Sequence, residues 1–341
     1  MWQISLVFGI GQHKFFIIPY RYRVLTSTSP DKNDRDDMTT IEKPAAADTT
    51  PVVALESGNQ RVRLLPTLGA GIAAWEYRID GRWMPLFRPW DGLSEDPYTM
   101  ACFPLVPWSN RITEGGFMHR GRHYPVLQNR EGEPYPIHGD GWLQAWTVTA
   151  QSANSITLTL LSDQFDGNPY TYRAEQIVTL HNDGMDIDLQ VTHLGPEPLP
   201  YGLGLHPYFE HNEATRLQSI ATGVWLSGAD PIPVGHTATL PPSWDYNRPA
   251  PLSGSLVDNC FDGWDGVARV FYPDRGLRID MIARDNPGYS LLYRPPQFPY
   301  FCIEPITHPI DAFHMPGQPG LVELSKGQEF SLRTRFQVSR L

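Results

Sequence analysis

The alternation of hydrophobic and polar residues along the chain predicts β-strands from about residue 52 to the C-terminus. Residues 185–194 (MDIDLQVTHL) alternate almost perfectly, as do residues 156–160 (ITLTL) and 330–338 (FSLRTRFQV). A period of two places one set of side chains against a core and the other set in solvent. This arrangement is typical of antiparallel sheets.

A hairpin is predicted between two of these segments. The stretch Asn182-Asp183-Gly184 separates residues 170–181 from residues 185–194, and turns of this composition join neighbouring antiparallel strands. Further strands are predicted at residues 61–65, 73–78, 267–272, 277–283 and 289–293. No amphipathic helix longer than two turns is expected, because helical spacing of apolar residues is not sustained over that length.

This pattern predicts an all-β protein, a single large antiparallel β-sandwich over residues 52–341 with long functional loops. Strands do not alternate with helices, which excludes Rossmann-type and α/β-barrel folds, and no glycine-rich phosphate loop follows a strand. No repeat of fixed length is present, which disfavours a propeller or a solenoid.

The first 51 residues differ from the rest in composition. Residues 1–25 are mildly apolar, but Lys14 interrupts them and no stretch approaches the roughly 20 residues of a membrane span. They also lack the basic start and the small-residue cleavage site of a signal peptide. Residues 26–51 are rich in Pro, Ala, Asp and Thr, which is typical of disorder. We therefore interpret residues 1–51 as an extension outside the fold, which is either disordered or partly mis-assigned; in the second case translation begins at Met38 and residues 1–37 are not part of the natural protein.

Charge and cysteine content narrow the class of partner. The 341 residues carry a net charge of -10, which disfavours nucleic acid and anionic membrane surfaces and leaves a small or neutral ligand. Cys102, Cys260 and Cys302 are far apart in the sequence and predict neither disulfides nor a thiolate zinc site. A reducing, cytoplasmic location fits this pattern, and the oligomeric state is left open.

Two titratable side chains stand alone in apolar, glycine- and proline-rich surroundings. His206 lies in YGLGLHPYF at residues 201–209, and Glu304 lies in CIEPITH at residues 302–308. One imidazole and one carboxylate suit paired proton transfer, in which one group removes a proton while the other supplies one. Because an imidazolium and a carboxylate are both available near neutral pH, we expect the pair to act without large pKa shifts.

Three further segments, which we assign to loops, carry polar candidates for ligand binding. Asn110 and Arg111 follow a proline-framed aromatic stretch, and an arginine fork beside an amide suits an oxygen-rich ligand. His138 lies beside glycines in PIHGDGW, where the backbone can approach a ligand closely. Asp258 and Asp262 lie in VDNCFDGW and can accept hydrogen bonds from hydroxyl groups. The structural alternatives are a turn cap, a structural ion pair, a structural histidine and a solvated acidic turn.

Other chemistries find less support in the sequence. A metal site needs several ligands, and His119 and His123 flank a Gly-Arg turn in strand-rich sequence, so no metal site or cofactor is predicted. No G-x-S-x-G elbow is present for a serine nucleophile. A glycosidase uses two carboxylates flanking one bond, and Glu304 with Asp258 keeps that reaction open.

Four short motifs carry a resemblance to a known family. They are SNRITEGGF at residues 109–117, IHGDGW at 137–142, GLGLHPYF at 202–209 and IEPITH at 303–308. In this order they resemble the NRI-x-x-G-x-F, HG, HPYF and terminal Glu-Pro segments of the aldose 1-epimerase (galactose mutarotase) family, over about residues 60–338. The sequences of these motifs look more like those of a bacterial branch of the family, whose substrate is not defined, than like those of the galactose enzymes.

The resemblance implies a galactose mutarotase-like supersandwich and an isomerase that interconverts the α and β anomers of a free hexose. Such an enzyme opens the sugar ring, allows rotation about C1–C2 and closes the ring again, without metal or cofactor. Glu304 would be the general base at the anomeric oxygen O1, and His206 would be the general acid at the ring oxygen O5.

The same resemblance implies a set of substrate-binding residues. VDNCFDGW is similar to the family stretch that supplies a substrate-binding aspartate, which would be Asp258. The residues that would hold the sugar are His138, Asn110, Arg111 and Asp258. One of Trp108, Trp142 and Trp264 would offer a flat face to the sugar ring.

Two alternative functions remain open. A hexose-6-phosphate 1-epimerase needs additional cationic side chains to bind the phosphate dianion. The available arginines do not form a cluster in the sequence; they are Arg111, Arg120, Arg122 and Arg294. A non-catalytic carbohydrate-binding domain on the same sandwich would bind sugars without accelerating anomer exchange.

Overall fold

A computed structural model of the chain describes residues 51–228, 230–284 and 288–341. The predicted N-terminal extension, apart from residue 51, lies outside the described residues. The described residues belong to one compact unit built from β-strands and short 3-10 turns. Within them, no helix has the length and apolar character needed to cross a bilayer.

The strands of the described residues are numbered in chain order. They are β1 (Val53–Ser57), β2 (Gln60–Leu65), β3 (Gly71–Ile79), β4 (Arg82–Pro85), β5 (Pro104–Leu105), β6 (Gly116–His119), β7 (Arg122–Pro125), β8 (Thr147–Gln151), β9 (Ser155–Asp163), β10 (Thr171–His181), β11 (Gly184–His193), β12 (Leu199–Tyr201), β13 (Gly204–Leu205), β14 (Tyr208–Glu210), β15 (Arg216–Ser219), β16 (Gly223–Ser227), β17 (Pro233–Thr237), β18 (Ala250–Pro251), β19 (Val257–Asp262), β20 (Val267–Tyr272), β21 (Leu277–Ala283), β22 (Tyr289–Arg294), β23 (Tyr300–Ile306), β24 (Val322–Leu324) and β25 (Glu329–Arg340). The 3-10 turns span Pro97–Thr99, Gly141–Leu143, Phe165–Gly167, Pro273–Arg275 and Ala312–His314.

Two large antiparallel sheets dominate the described residues. The first has the order β18-β15-β20-β21-β25-β11-β10-β9-β8, and the second has the order β17-β16-β19-β22-β23-β13-β5 with β14 paired to β23. A four-stranded sheet, β1-β2-β3-β4, packs on the first sheet through Trp75, whose ring lies 5.9 Å from that of Phe336 on β25. The predicted antiparallel β-sandwich is confirmed.

The segments that alternate most clearly in sequence form strands of the first sheet. Along β10, every second residue is buried, because one face lies on the core and the other remains partly exposed. His181 of β10 lies opposite Gly184 of β11, so the predicted hairpin is confirmed, with Asn182 and Asp183 as its loop.

The central strands β22 and β23 of the second sheet are buried on both faces, and this is why they do not alternate in sequence. In β23, Phe301 and Ile303 belong to the main core, which also contains residues of the first sheet. Cys302 and Ile306 belong to a second core on the opposite face. Because successive side chains of a strand point to opposite faces, Glu304 lies on the face of the second core.

One assignment from the sequence is wrong. Residues 257–264 are predicted as a loop, but Val257–Asp262 form β19, which lies between β16 and β22 in the second sheet. The buried face of this strand carries the polar Asn259, and the other face carries the buried Cys260 between two partly buried aspartates, so the segment lacks the period of two that would have indicated a strand.

Candidate active site

A pocket of about 290 Å³ lies on the second-core face of the second sheet. All the residues predicted for catalysis or substrate binding line it, namely Asn110, Arg111, His138, His206, Asp258 and Glu304. Segments that are up to about two hundred residues apart in sequence therefore meet at one cavity.

The floor of the pocket is formed by three adjacent strands. Glu304 on β23 lies opposite Leu291 on β22, and Tyr293, two residues further along β22, lies opposite Asp258 on β19. Residues two apart on a strand share a face, so this register places both carboxyl groups and Tyr293 on the face that lines the cavity.

His206 lies between the short strands β13 and β14. Its backbone N–H donates a hydrogen bond to the carbonyl oxygen of Phe103 at 3.0 Å. Its ring stacks on Phe103 and on Tyr208, with ring centroids 4.7 Å apart in each case. These two contacts fix the plane of the imidazole at the wall of the pocket.

The glycine-rich sequence before His206 is required by a close packing contact. A Cβ atom on Gly202 would lie 2.0 Å from Cδ2 of the buried His308. His308 Nε2 accepts a hydrogen bond from the backbone N–H of Ser109 at 3.0 Å. His308 therefore packs against the segment before His206 and also anchors the loop that carries Asn110 and Arg111.

Asn110 and His138 hold each other in place. Both have left-handed backbones, with φ of 55° and 62°, a conformation that is uncommon outside glycine but enriched in asparagine and histidine. The His138 N–H donates to the Asn110 carbonyl oxygen at 2.9 Å, and the Asn110 N–H donates to His138 Nδ1 at 3.1 Å. Burial lowers the pKa of His138 well below its ordinary value. We infer from these hydrogen bonds that the neutral ring carries its proton on Nε2, where it can donate to a ligand.

Arg111 is held by several acceptors at the edge of the pocket. Its Nε–H donates to Glu133 Oε2 at 3.1 Å, and its Nη2 lies 3.0 Å from the same oxygen. One Nη1–H donates to the side-chain oxygen of Asn110 at 3.2 Å, and Nη1 lies 3.8 Å from a carboxylate oxygen of Asp258. The structural ion pair considered as an alternative for Arg111 is therefore present, and it lies within the pocket.

His206 and Glu304 are in contact. His206 Nε2 lies 3.3 Å from Glu304 Oε1, and the two side chains are 7% and 1% exposed. Burial lowers the pKa of His206 to about 3. Burial, assisted by the nearby Asp258 carboxyl, raises the pKa of Glu304 well above its ordinary value, while Arg111 opposes this rise. The expectation that both groups act without large pKa shifts is therefore wrong.

Asp258 and Asp262 have different surroundings although they are close in sequence. Asp258 lines the pocket, where burial raises its pKa and Arg111 lowers it; its side chain remains 23% exposed. Asp262 instead lies 2.8 Å from Nε2 of His236 and does not line the pocket. The two side chains are four residues apart on one strand, and only the first reaches the cavity.

The predicted tryptophan face is wrong. Trp108, Trp142 and Trp264 are 1%, 0% and 3% exposed, and none of them lines the pocket. Four tyrosines line it instead: Tyr98, Tyr208, Tyr293 and Tyr300. The tryptophan rings fill the packed interior near these loops, and the smaller tyrosine rings form the wall.

Residues 51–337 match the family model described as Aldose 1-epimerase. The chain belongs to the aldose 1-epimerase family. The family expected from the four motifs is thus confirmed. The similarity of this chain to solved structures of the family confirms the predicted fold.

Relatives of this aldose 1-epimerase family member include bacterial and animal proteins. It is 36% identical over 274 residues to the uncharacterized protein YphB of Escherichia coli (strain K12), covering 76% of this chain and 92% of YphB. A crystal structure of a candidate aldose 1-epimerase from Escherichia coli K12 has a TM-score of 0.80 and 31% identity, covering 85% of this chain and 99% of that one. A GalM/aldose epimerase homologue from C. elegans shares the fold, with a TM-score of 0.72 at 16% identity, covering 85% of this chain and 99% of that one.

One group of side chains in this aldose 1-epimerase family member could supply ligands to a metal ion. The donor atoms of His206, Cys302 and Glu304 all lie within 4.8 Å of one another. The three cysteines of the chain are buried and free, and burial raises the pKa of the Cys302 thiol well above its ordinary value. A metal ion would have to deprotonate this buried thiol in order to bind it, and a proton-transfer role for His206 and Glu304 is proposed below.

Sequence reasoning missed Glu133, which bonds to Arg111 and lines the pocket. It lies in the polar loop between β7 and the turn at His138, in the sequence NREGEP. The two other charged residues of the same loop, Arg130 and Glu131, have similar sequence surroundings, so no local signal distinguishes Glu133 from them.

Proposed function

We propose that this protein is an aldose 1-epimerase (mutarotase) that interconverts the α and β anomers of a free hexose. The observation that carries the proposal is the contact of 3.3 Å between His206 Nε2 and Glu304 Oε1 at the pocket wall. An isolated imidazole–carboxyl pair of this kind is suited to moving one proton on and another proton off a bound sugar.

The reaction needs two coupled proton transfers. One group takes the proton of the O1 hydroxyl while the other donates a proton to the ring oxygen O5. The C1–O5 bond then breaks, which leaves an aldehyde at C1 and a hydroxyl at C5. Rotation about C1–C2 presents the other face of the aldehyde, and reversal of the two proton transfers closes the ring as the other anomer. Protons are conserved over the cycle, and no electron is gained or lost.

We propose that the pair shares one mobile proton. Burial favours the uncharged form, with the proton on Glu304 and a neutral His206, because it disfavours both the carboxylate and the imidazolium. Transfer of that proton across the 3.3 Å contact gives the carboxylate and the imidazolium without changing the total charge. Arg111 favours this ionised form of Glu304. In that form Glu304 is the general base at O1 and His206 is the general acid at O5.

The other polar residues would hold the sugar for this chemistry. Glu304 Oε2 has no hydrogen-bond partner within the described part of the chain and is available to the anomeric hydroxyl. The Nε2–H of His138 donates to a sugar oxygen, while Arg111 and Asp258 offer a donor and an acceptor for hydroxyl groups. Holding the sugar in a reactive orientation adds to the rate independently of the proton transfers.

The alternative of a hexose-6-phosphate substrate receives less support from the pocket. Arg111 is the one cationic side chain among the described residues that line the cavity, and Glu133 and Asn110 already accept its hydrogen bonds. Arg120, Arg122 and Arg294 do not line the cavity. A phosphate dianion would therefore meet three carboxyl groups and no free guanidinium.

Anomer exchange in freshly dissolved α-glucose and α-galactose, followed by NMR, tests the proposal. Wild type at catalytic concentration is expected to accelerate exchange above the spontaneous rate for at least one of the two sugars. Glu323→Gln is the matched control, since Glu323 is a partly exposed glutamate that pairs with Arg120, and it is expected to retain full activity. Saturable sugar binding without any acceleration would contradict the proposal and favour a carbohydrate-binding domain.

A further inference from the structure

The stack that holds the His206 ring extends beyond the pocket to an arginine. The guanidinium carbon of Arg88 lies 3.8 Å from the ring centroid of Tyr208, whose ring is also stacked on His206. The same carbon lies 4.7 Å from the centroid of Tyr300. Cation–π contacts at these distances are attractive and orient the rings that they join. Arg88 itself does not line the pocket, so it does not reach the position of a bound sugar.

Arg88 is held in place by backbone carbonyls from two segments. One Nη group donates to the carbonyl oxygens of Tyr98 and Met100 at 2.7 and 2.9 Å. The backbone N–H of Arg88 donates to the carbonyl oxygen of Tyr208 at 2.8 Å. Arg88 therefore ties the segment after β4 to the Pro97–Thr99 turn and to β14.

No carboxylate in the described part of the chain forms an ion pair with Arg88, in contrast to Arg111 and Arg130, which pair with Glu133 and Asp96. Its neutral acceptors stabilise the guanidinium but do not cancel its charge. An uncancelled positive charge in a partly buried position acts over longer distances than one in a salt bridge.

Several titratable or charged groups surround the His206 imidazole. They are Glu304 and Cys302 from β23, His138 from the turn before Gly139, Tyr98 and Arg88 from the loops above the sheet, Tyr208 from β14, and Cys102, which lies against the His206 backbone. Burial is the largest influence that lowers the pKa of His206, and Arg88 is the charged neighbour that lowers it further.

We infer that Arg88 is a positioning residue for the proton transfer: through the ring of Tyr208 it fixes the imidazole of His206 against Glu304 and places a positive charge behind it. The inference rests on the proposed function. A positive charge behind the ring disfavours the imidazolium, so His206 gives up its proton more readily to O5 once it has received one. Removing the charge makes the imidazolium easier to form and a weaker acid.

Two substitutions at Arg88 separate its charge from its packing. Arg88→Met keeps an unbranched stem of similar length and removes the charge and the donors, whereas Arg88→Lys keeps the charge. The matched control is Arg275→Met, because Arg275 also lies over a tyrosine, with its guanidinium carbon 4.8 Å from the ring of Tyr272, and also donates to a backbone carbonyl, that of Pro85.

Two measurements are made on each variant. One is the pH profile of kcat/KM for anomer exchange, and the other is the NMR titration of the His206 imidazole in the protein without sugar. Arg88→Met is expected to raise two pKa values: the apparent pKa that the pH profile reports for the general acid, and the pKa of the His206 imidazole in the NMR titration. It is also expected to lower kcat by about tenfold or more with little change in KM. In Arg88→Lys, the apparent pKa of the general acid is expected to return toward the wild-type value. Arg275→Met is expected to leave both measurements unchanged.

Equal shifts in Arg88→Met and Arg275→Met, or an imidazole titration that Arg88→Met leaves unchanged, would overturn the inference. If wild type does not accelerate exchange of any sugar, the proposed function fails, but the NMR titration still decides whether Arg88 acts on His206. If Arg88→Met does not fold, Arg88→Lys decides: a titration close to that of wild type supports the inference, and a large rise in the imidazole pKa contradicts it.

Discussion

Substitution of Glu133 should change which sugars the pocket accepts. Glu133 accepts two contacts from Arg111, at 3.0 and 3.1 Å, and both residues line the cavity. Glu133→Gln keeps the size of the side chain and removes the negative charge. The Arg111 fork would then be available to an anionic group on the sugar, such as a phosphate or a carboxylate.

The expected effect follows from the charge that is removed. Two unit charges roughly 6 Å apart interact by about 3 kcal/mol at an effective dielectric constant of about 20. Because 20% of the Glu133 side chain is exposed, solvent screens part of this interaction, and we take about half of it. Roughly 1.4 kcal/mol corresponds to a tenfold change in affinity for a singly charged sugar. A phosphate carries close to two charges near neutral pH, so its gain should be larger.

The assay is a comparison of equilibrium binding and of anomer exchange for glucose, glucuronate and glucose 6-phosphate. We expect the ratio of anionic to neutral sugar affinity to rise at least tenfold in Glu133→Gln. Glu131→Gln, an exposed glutamate of the same loop that does not line the pocket, should leave the ratio unchanged. A wild type that binds glucose 6-phosphate more tightly than glucose, or a ratio that moves equally in both variants, would refute this reasoning.

Three further predictions concern groups around the pocket. Burial raises the pKa of Asp140 to about 7, so its contribution to stability is present at low pH and lost as pH rises through 7. In Asp140→Asn, the free energy of unfolding, measured by urea denaturation at several pH values, should therefore fall less between pH 4 and 7 than in wild type. His308→Leu leaves the Ser109 N–H without its acceptor, which should cost about 1–3 kcal/mol and raise KM. Phe103→Leu removes one stacking partner of the His206 imidazole and should lower kcat, whereas Phe117→Leu in the main core should lower stability alone.

The fold could be predicted from sequence wherever one face of a strand is exposed. β10 alternates in burial along its whole length and β11 does so from Met185 onward, and their hydrophobic pattern and hairpin were predicted almost to the residue. β23 is buried on both faces, and β19 has a polar residue on its buried face and a buried cysteine on the other, so their sequences VDNCFD and YFCIEPI contain no period of two. Burial on the second face depends on loops from distant parts of the chain, which local patterns do not report.

The site was predictable where the chemistry of a residue is unusual for its surroundings. His206 and Glu304 were identified as a lone imidazole and a lone carboxylate among apolar neighbours, and both line the pocket. Glu133 lies in an ordinary polar loop, and Arg88 lies in the aromatic segment LFRPW without a pattern that indicates a site; only the folded chain brings them to Arg111 and Tyr208. The pKa shifts of the pair were also missed, because they arise from burial in the tertiary structure.

The most direct test of the central claim is the rate of anomer exchange in wild type, in Glu304→Gln, in His206→Asn and in the double variant. If the two residues share one proton and act as a unit, each single substitution should lower the rate by roughly 10²–10⁴-fold. The double variant should then be no slower than the slower single variant by more than a small factor. Near wild-type exchange in either single variant, or losses that multiply in the double variant, would contradict the account.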